Sequence, residues 1–213
     1  MERQLLRSLP ALVLAATVLY TFSVYPELPA RMPTHWGING QPNGWSPREF
    51  GAWLLPGMMV FLWGVFLALP SIDPKRANYD KFGIAYHISA LAIVTFEGIV
   101  QWAMLNVALG HAVDLNTIVY VGLGAMFAIL GMALTFARPN WFFGIRTPWT
   151  LSDDGVWERT HKTGGPLLAI AGIVSIIAAL TLPPTGRFLA VITASLAASL
   201  GAIGLSYYYW RHR

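Results

Sequence analysis

Six long apolar segments constrain this chain more than any other feature of its sequence. Each is close in length to the roughly 20 residues that cross a hydrocarbon layer of about 30 Å as a helix. They lie at residues 8–25, 50–70, 84–109, 117–137, 166–182 and 188–210. Of the 213 residues, 55% are hydrophobic and only 11% are charged, whereas soluble domains have a charged share of about 25%. The sequence therefore predicts an all-α fold, a polytopic membrane bundle of six transmembrane helices.

The chain carries no sign of a second, soluble domain. We expect one membrane domain over residues 1–213, with an amino-terminal half at 1–116 and a carboxy-terminal half at 117–213. No repeat of fixed period and no low-complexity stretch separates the halves. Cysteine is absent, which excludes disulfides, thiolate nucleophiles and Cys-ligated metals.

Lys and Arg are distributed unequally between the two predicted sides of the membrane. One side receives 11 of the 14, and the other receives Arg31, Arg48 and Arg187. Because loops rich in Lys and Arg stay in the cytoplasm, both termini are predicted to be cytoplasmic. The net charge of +4 then reflects membrane orientation, and no direct nucleic-acid partner is expected.

The predicted outer loop, residues 26–49, contains five prolines and three glycines, which predicts a series of fixed turns. Trp36 and Trp45 are typical of an interfacial belt at the headgroup level. Alternatively, the rigid loop is an outward docking surface. His35 lacks the partners of a zinc helix, so no metal site is predicted.

The predicted cytoplasmic loop, residues 138–165, contains a capping pattern. Ser152 is placed as a helix N-cap before Asp153 and Asp154, which predicts a short interfacial helix from Asp153 to Lys162. We expect this helix to lie flat on the inner leaflet. Trp157 and His161 are four residues apart and therefore share one of its faces.

Arg146 is a permanent cation on the same loop, between Gly144, which permits a turn, and Pro148, which fixes the chain. Its planar guanidinium suits a phosphate or a carboxylate, or stacking on Trp149. Two interpretations stay open. Arg146 either pairs with Asp153, Asp154 or a lipid phosphate, or binds a partner.

Glu97 and Gln101 place polar groups inside the third apolar segment. A carboxylate at that depth costs several kcal/mol, so Glu97 either carries a proton or faces a partner in the bundle. Gln101 lies one turn away on the same face. The pair is interpreted either as a proton- or ligand-sensitive switch or as a neutral hydrogen-bonded group between helices.

Two stretches of sequence resemble a known family. The octet Gly-Ile-Arg-Thr-Pro-Trp-Thr-Leu at Gly144–Leu151, followed by an acidic pair and Trp157, is similar to the signature of the SdpI family. The amino-terminal loop is also similar in its Leu28-Pro29, His35-Trp36, Gly40 and Pro42. Members of this family are bacterial immunity proteins against a sporulation-delaying toxin.

The resemblance implies a multi-pass plasma-membrane protein that protects its cell from a secreted antimicrobial peptide. It also implies a possible cytosolic repressor partner, held at the membrane when toxin is bound, and no cofactor. The cytoplasmic partner-binding residues would be Asn140, Gly144, Arg146, Thr147, Pro148, Trp149, Thr150, Trp157 and His161. The toxin-facing residues would be Pro29, His35, Trp36, Gly40, Pro42 and Trp45.

Two other classes of function are alternatives to this one. A small proton-linked transporter or channel would use Glu97 and Gln101, although one buried acid is sparse and the halves show no paired broken helices. An enzyme would need a His-Glu-x-x-His helix, a Gly-x-Ser-x-Gly elbow or a paired-Asp arrangement, and the sequence has none. The chain is therefore predicted not to be an enzyme, with membrane lipids as further contacts.

Overall fold

The computed structural model describes residues 2–213, and it is 78% helical. Six of its helices in that range are long and apolar enough to cross a membrane, which confirms the predicted bundle of six spans. In chain order the elements are α1 (Glu2–Val24), β1 (Arg31–Trp36), β2 (Pro42–Pro47), α2 (Arg48–Ile72), α3 (Tyr79–Ala108), α4 (Leu115–Leu134), α5 (Pro148–Ser152), α6 (Asp154–Thr181) and α7 (Pro184–Arg211).

The spans form two groups that meet along one seam. α1 and α2 pack against α3, while α4 and α7 pack against α6, and the contact between α3 and α4 joins the groups. We call this contact the α3–α4 seam. Because the number of crossings is even, both chain ends lie at the same end of the bundle, where Arg3 approaches Asp80 and Arg213 approaches Asp153. We call this the basic end and the opposite one the hairpin end. That the basic end is cytoplasmic remains a prediction from charge.

Glycines allow α4 and α6 to approach to backbone contact. A Cβ atom on Gly131 would lie 2.4 Å from the Ala169 nitrogen and 2.6 Å from the Gly165 oxygen. One on Gly124 would lie 2.6 Å from the Gly172 oxygen. Since helices in lipid associate through close packing of small residues, this contact stabilises the carboxy-terminal group.

α2 contains two prolines, and α3 satisfies the carbonyl groups that they leave free. A proline inside a helix lacks the N–H that would bond to the carbonyl four residues earlier. Pro56 frees the carbonyl of Ala52, which accepts a 2.8 Å hydrogen bond from the Gln101 side chain. Pro70 likewise frees Phe66, whose carbonyl accepts a 2.9 Å bond from the Tyr86 hydroxyl. Both bonds cross from α3 to α2, so they set the register between these helices.

The outer loop is not the series of turns that its prolines predict. It forms an antiparallel hairpin of β1 and β2, closed by a turn in which Gly40 has a φ of +82°. Met32 on β1 is fully buried, in a cluster that includes Leu28, Ala52 and Leu105. Burial of Met32 and Pro33 on β1, together with alternating half-buried and exposed residues on β2, places one face of the hairpin on the bundle, and this outweighed the turn preference of the prolines.

The predicted short helix from Asp153 to Lys162 is wrong in its bounds. Asp153, not Ser152, caps the helix, and its carboxylate accepts bonds from the backbone N–H groups of Gly155 and Val156 at 2.8 and 3.0 Å. These donors, Val156 foremost, lower the pKa of Asp153. The helix then continues without a break as α6. The only short helix of this connection is α5, which lies before the predicted one.

Candidate functional sites at the two ends of the bundle

The Gly144–Leu151 octet, which we call the signature segment, begins at a residue that only glycine fits. Gly144 has a φ of +126°, which strains any L side chain. A Cβ atom there would also lie 2.4 Å from Nε2 of His161 and 3.1 Å from the Trp157 ring. Gly144 therefore brings the segment down onto the buried start of α6.

His161 fixes the start of the signature segment with both of its ring nitrogens. Nε2 accepts a 2.8 Å bond from the backbone N–H of Ile145, so the other nitrogen carries the proton and donates to the Trp157 carbonyl at 2.8 Å. The imidazole also stacks on the Trp157 ring at 4.2 Å between centroids. Both side chains are 1% exposed. His161 and Trp157 thus hold the segment from below and do not present a face to a partner.

Two threonines of the segment cap α5 and tie it to α7. The Thr147 hydroxyl accepts from the Thr150 backbone at 3.2 Å, and the Thr150 hydroxyl accepts from the Thr147 backbone at 2.9 Å and donates to the Ile145 carbonyl at 2.8 Å. Thr147 also donates to Ser206 on α7 at 3.0 Å. Pro148 occupies the first helical position, where its missing N–H is not needed. These three residues make the segment rigid.

Asn140 organises the turn that leads into the signature segment. It is 1% exposed, and its amide nitrogen donates to the carbonyls of Arg138 and Phe143, both at 2.8 Å. Its oxygen accepts from the backbone N–H groups of Phe142 and Phe143 at 2.9 and 2.6 Å. All of its donors are used, so Asn140 is a buried support of the loop.

Asp73, which the sequence analysis missed, joins this turn to the end of α2. Its carboxylate is 2% exposed and accepts from the Tyr79 hydroxyl at 2.9 Å, from the Trp141 backbone at 2.9 Å and from the Lys75 backbone at 2.7 Å. The signal available in the sequence was an Asp-Pro pair directly after an apolar segment, which is typical of a turn with a local side-chain cap. Its long-range bond to Trp141 had no such signal.

Arg146 and Pro148 of the segment face outwards, and Trp149 is half-buried. The Arg146 guanidinium is exposed and donates to the Trp141 carbonyl at 2.9 Å. The predicted pairing with Asp153 or Asp154 is absent within the described residues, because those carboxylates bind Arg213 and Lys75 instead. Arg146 does not stack on Trp149 either. Trp149 packs edge-on against Tyr207 of α7, with ring centroids 5.1 Å apart.

A groove of about 480 Å³ lies between the signature segment and α7. Its walls include Arg146 and Trp149 on one side and Ser199 and Ile203 on the other. An exposed guanidinium beside an apolar wall suits an anionic group attached to an apolar body. Among the predicted inner residues, Arg146, Pro148 and Trp149 therefore form the accessible surface, and the others support it.

The hairpin end gathers the predicted outer residues. His35 is exposed and hydrogen-bonds through Nδ1 to the Asn43 side chain on the opposite strand. Trp36 pairs with Pro42 across the strands, and the Trp45 side chain is 51% exposed. Pro29 is exposed in the connection before β1, and Gly40 lies in the turn. No three His, Cys, Asp or Glu side chains within residues 2–213 are grouped to hold a metal ion.

The hairpin covers a cavity of about 360 Å³ between α2, α3 and α4. Trp36 and Ile38 line it from above, and Leu54, Met104 and Tyr120 line it from the helices. The Asn116 amide at the start of α4 donates to the Gly37 carbonyl at 3.3 Å and holds the turn over it. This end therefore offers an apolar recess beside an exposed histidine and tryptophan.

Glu97 and Gln101 lie one turn apart on α3 and do not bond to each other. Gln101 is fully buried, and its side-chain nitrogen donates to the Ala52 carbonyl. Its side-chain oxygen has no partner among the described residues. Glu97 is 7% exposed, and its Oε2 atom is also without a partner there. The structure thus gives Gln101 a structural role and leaves the carboxyl group of Glu97 unassigned.

Comparisons with known proteins agree with the resemblance. Residues 136–207 match the SdpI/YfhL protein family, and residues 12–60 match a Domain of unknown function (DUF1648). The chain is similar to Immunity protein SdpI of Bacillus subtilis (strain 168), with 26% identity over 202 residues that cover 94% of this chain and 93% of the relative. No solved structure matches. With six apolar helices, these similarities identify a multi-pass bacterial membrane protein.

Proposed function

We propose that this chain, which is similar to an immunity protein along almost its whole length, is a plasma-membrane immunity protein that protects its cell from a secreted antimicrobial peptide toxin. The similarity over 94% of the chain carries the proposal, because it extends well beyond the signature segment. The architecture supports it, since an exposed rigid hairpin over an apolar recess suits an amphipathic peptide. The proposed role is binding, without catalysis and without a cofactor.

The chain has two separate surfaces, which suits two linked tasks. The hairpin end would bind the toxin, and the Arg146–Trp149 surface would hold a cytosolic repressor. Such coupling requires that toxin bind one arrangement of the bundle better than another, because a ligand with equal affinity for both shifts no equilibrium.

Survival of a toxin-sensitive bacterium tests the immunity role. Cells that express the chain are challenged with the sporulation-delaying peptide, and we expect them to survive at concentrations that kill cells with the empty vector. His35→Ala should reduce protection, whereas His111→Ala, an exposed histidine at the same end, should not. Sensitivity equal to that of the empty vector, at equal membrane levels, would reject the proposal for this toxin.

Transcription tests the repressor role separately. Toxin at a sublethal dose should induce a set of transcripts only in cells that carry the chain. Arg146→Ala should abolish this induction and leave survival unchanged, while Arg159→Ala, a neighbouring exposed cation, should alter neither. Induction that persists with Arg146→Ala would remove Arg146 from the signalling surface.

The unpartnered carboxyl group of Glu97 supports a second candidate, a small proton-linked transporter or channel. Purified chain in liposomes should then dissipate a pH gradient, and Glu97→Gln should stop the flux. Absence of flux above that of empty liposomes would reject this function.

A further inference from the structure

The α3–α4 seam opens to the membrane as a long apolar crease. At the basic end it forms a cavity of about 620 Å³ whose walls include Ile84 and Ile88 of α3 and Ile129 and Met132 of α4. Met132 is 54% exposed although it lies in a spanning helix, so it faces lipid rather than protein. The position of the crease follows from packing, because α4 turns its glycine face towards α6 and leaves a looser contact with α3.

The crease continues towards the hairpin end. A second cavity of about 260 Å³ shares Ile88 and Ile129 with the first and extends to Ile99 on α3. From Gly83, which follows a non-helical backbone at Phe82, to Ile99 the path follows α3 for about 24 Å, at 1.5 Å per residue, which is most of the thickness of the hydrocarbon layer. Apart from Thr95, the walls of this second cavity are apolar or glycine. Such an apolar crease suits an acyl chain.

Only the basic end of the crease is charged. Arg3 and Lys81 lie at its rim, and Arg7 lines an adjoining cavity of about 380 Å³ that Arg3 also borders. The Arg3 side chain crosses Gly83, where a Cβ atom would lie 3.7 Å from it, and donates to the Asp80 carbonyl at 2.6 Å. A guanidinium has five N–H donors, so the others remain available at this half-exposed side chain.

The rim carries more positive than negative charge. Asp80 is the single acid among the residues that line the two rim cavities, and its carboxylate is 89% exposed and 3.8 Å from Arg3. Elsewhere at this end Lys75 and Arg138 have close acidic partners, at 2.8 and 2.6 Å. A rim with a net positive charge above an apolar crease is complementary to an anion joined to a hydrocarbon chain.

We propose that the α3–α4 seam binds an anionic phospholipid, with its phosphate on Arg3 and Lys81 and an acyl chain along the crease. The lipid touches α1 through Arg3, α3 through Lys81 and α4 through Met132. It therefore bridges the two groups of spans at the α3–α4 seam, which is their extensive junction within residues 2–213, and stabilises that junction by mass action. This site is independent of the immunity role.

Lipid binding to the purified full chain in detergent tests the site, with phosphatidylglycerol and phosphatidylcholine of identical acyl chains as probes in native mass spectrometry. We expect phosphatidylglycerol to bind on the order of tenfold more tightly, since each basic residue near the phosphate adds attraction. The Arg3→Gln/Lys81→Gln variant should lose this preference. Arg159→Gln/Lys162→Gln, which removes the same charge from exposed positions on α6, should keep it.

Two further variants keep the test decisive if the double variant folds poorly. Asp80→Asn removes the competing acid and should strengthen phosphatidylglycerol binding. Ile129→Trp fills the crease and should weaken binding of both lipids. Equal affinity for the two lipids, an equal loss in the α6 control, or full displacement by inorganic phosphate at millimolar concentration would each overturn the proposal.

Discussion

Gly144 shows how one residue positions the whole signature segment. Its positive φ strains any L side chain, and a Cβ atom at this position would clash with His161. Gly144→Ala should therefore lower the unfolding free energy by about 1–3 kcal/mol, the usual cost of a strained backbone. Thermal unfolding in detergent measures this. Gly204→Ala on α7, where nothing lies within 4 Å, is the matched control and should melt at or slightly above the wild type, because Ala favours a helix more than Gly. Equal melting of both variants would contradict the assignment.

Asp114 gives the hairpin end a predictable response to acid. Burial opposes its ionisation, but hydrogen bonds from Thr117 and Arg187 outweigh burial and lower its pKa below the ordinary 3.8. Because the folded pKa is the lower one, the unfolded state binds more protons in this range, and stability is lost as pH falls below about 4. Asp114→Asn should melt with a smaller loss between pH 5 and pH 3 than the wild type.

The control for this acid response is Asp80→Asn, whose carboxylate is almost fully exposed. It should keep the pH dependence of the wild type. If both substitutions flatten the melting curve equally, the effect comes from net charge and not from the cap of α4.

At the scale of elements, the two cross-helix bonds from α3 to α2 offset the prolines of α2. Gln101→Leu should destabilise the bundle by about 1 kcal/mol, because the Ala52 carbonyl then lacks a donor in lipid. In a Pro56→Ala background the residue at position 56 supplies its own N–H, so the same substitution should cost less. A double-mutant cycle from thermal unfolding measures this coupling.

The corresponding cycle of Tyr86→Phe with Pro70→Ala repeats the test at the other proline. A positive coupling in both cycles is expected. Additive effects in both would show that the two side chains act independently of the prolines.

At the scale of the whole molecule, the orientation predicted from the basic residues can be measured directly. The chain has no cysteine, so single cysteines introduced at Asn39 in the hairpin and at Ser152, the last residue of α5, report without background. In intact cells an impermeant thiol reagent should label the Asn39→Cys variant and not the Ser152→Cys variant. After the membrane is permeabilised, both should react. Labelling of Ser152→Cys alone in intact cells would invert the topology and exchange the proposed toxin and repressor surfaces.

Sequence alone was sufficient for the number of spans. Whether a segment crosses a membrane depends on the apolar length of that segment, which is a local quantity. The turn at Gly144 was also predicted, because a glycine turn acts over a few positions, whereas the cap at Thr147 and the helix α5 were not predicted. Local patterns were less reliable for the bounds of elements. The prolines of the outer loop predicted turns where the structure has a hairpin. The cap of α6 was predicted at Ser152, one residue before its position at Asp153.

Which residues remain available for partners followed from how the helices pack. His161 and Asn140 are polar residues of the kind that form binding surfaces, yet both form their hydrogen bonds inside the protein. Gln101 donates a hydrogen bond to a carbonyl group 49 positions away, and Asp73 accepts one from a backbone N–H group 68 positions away. Such partners are set by how the helices pack, and a buried polar group must find one wherever the chain brings it. Arg146 has no acidic partner for the same reason, because the nearby carboxylates of Asp153 and Asp154 pair with Arg213 and Lys75.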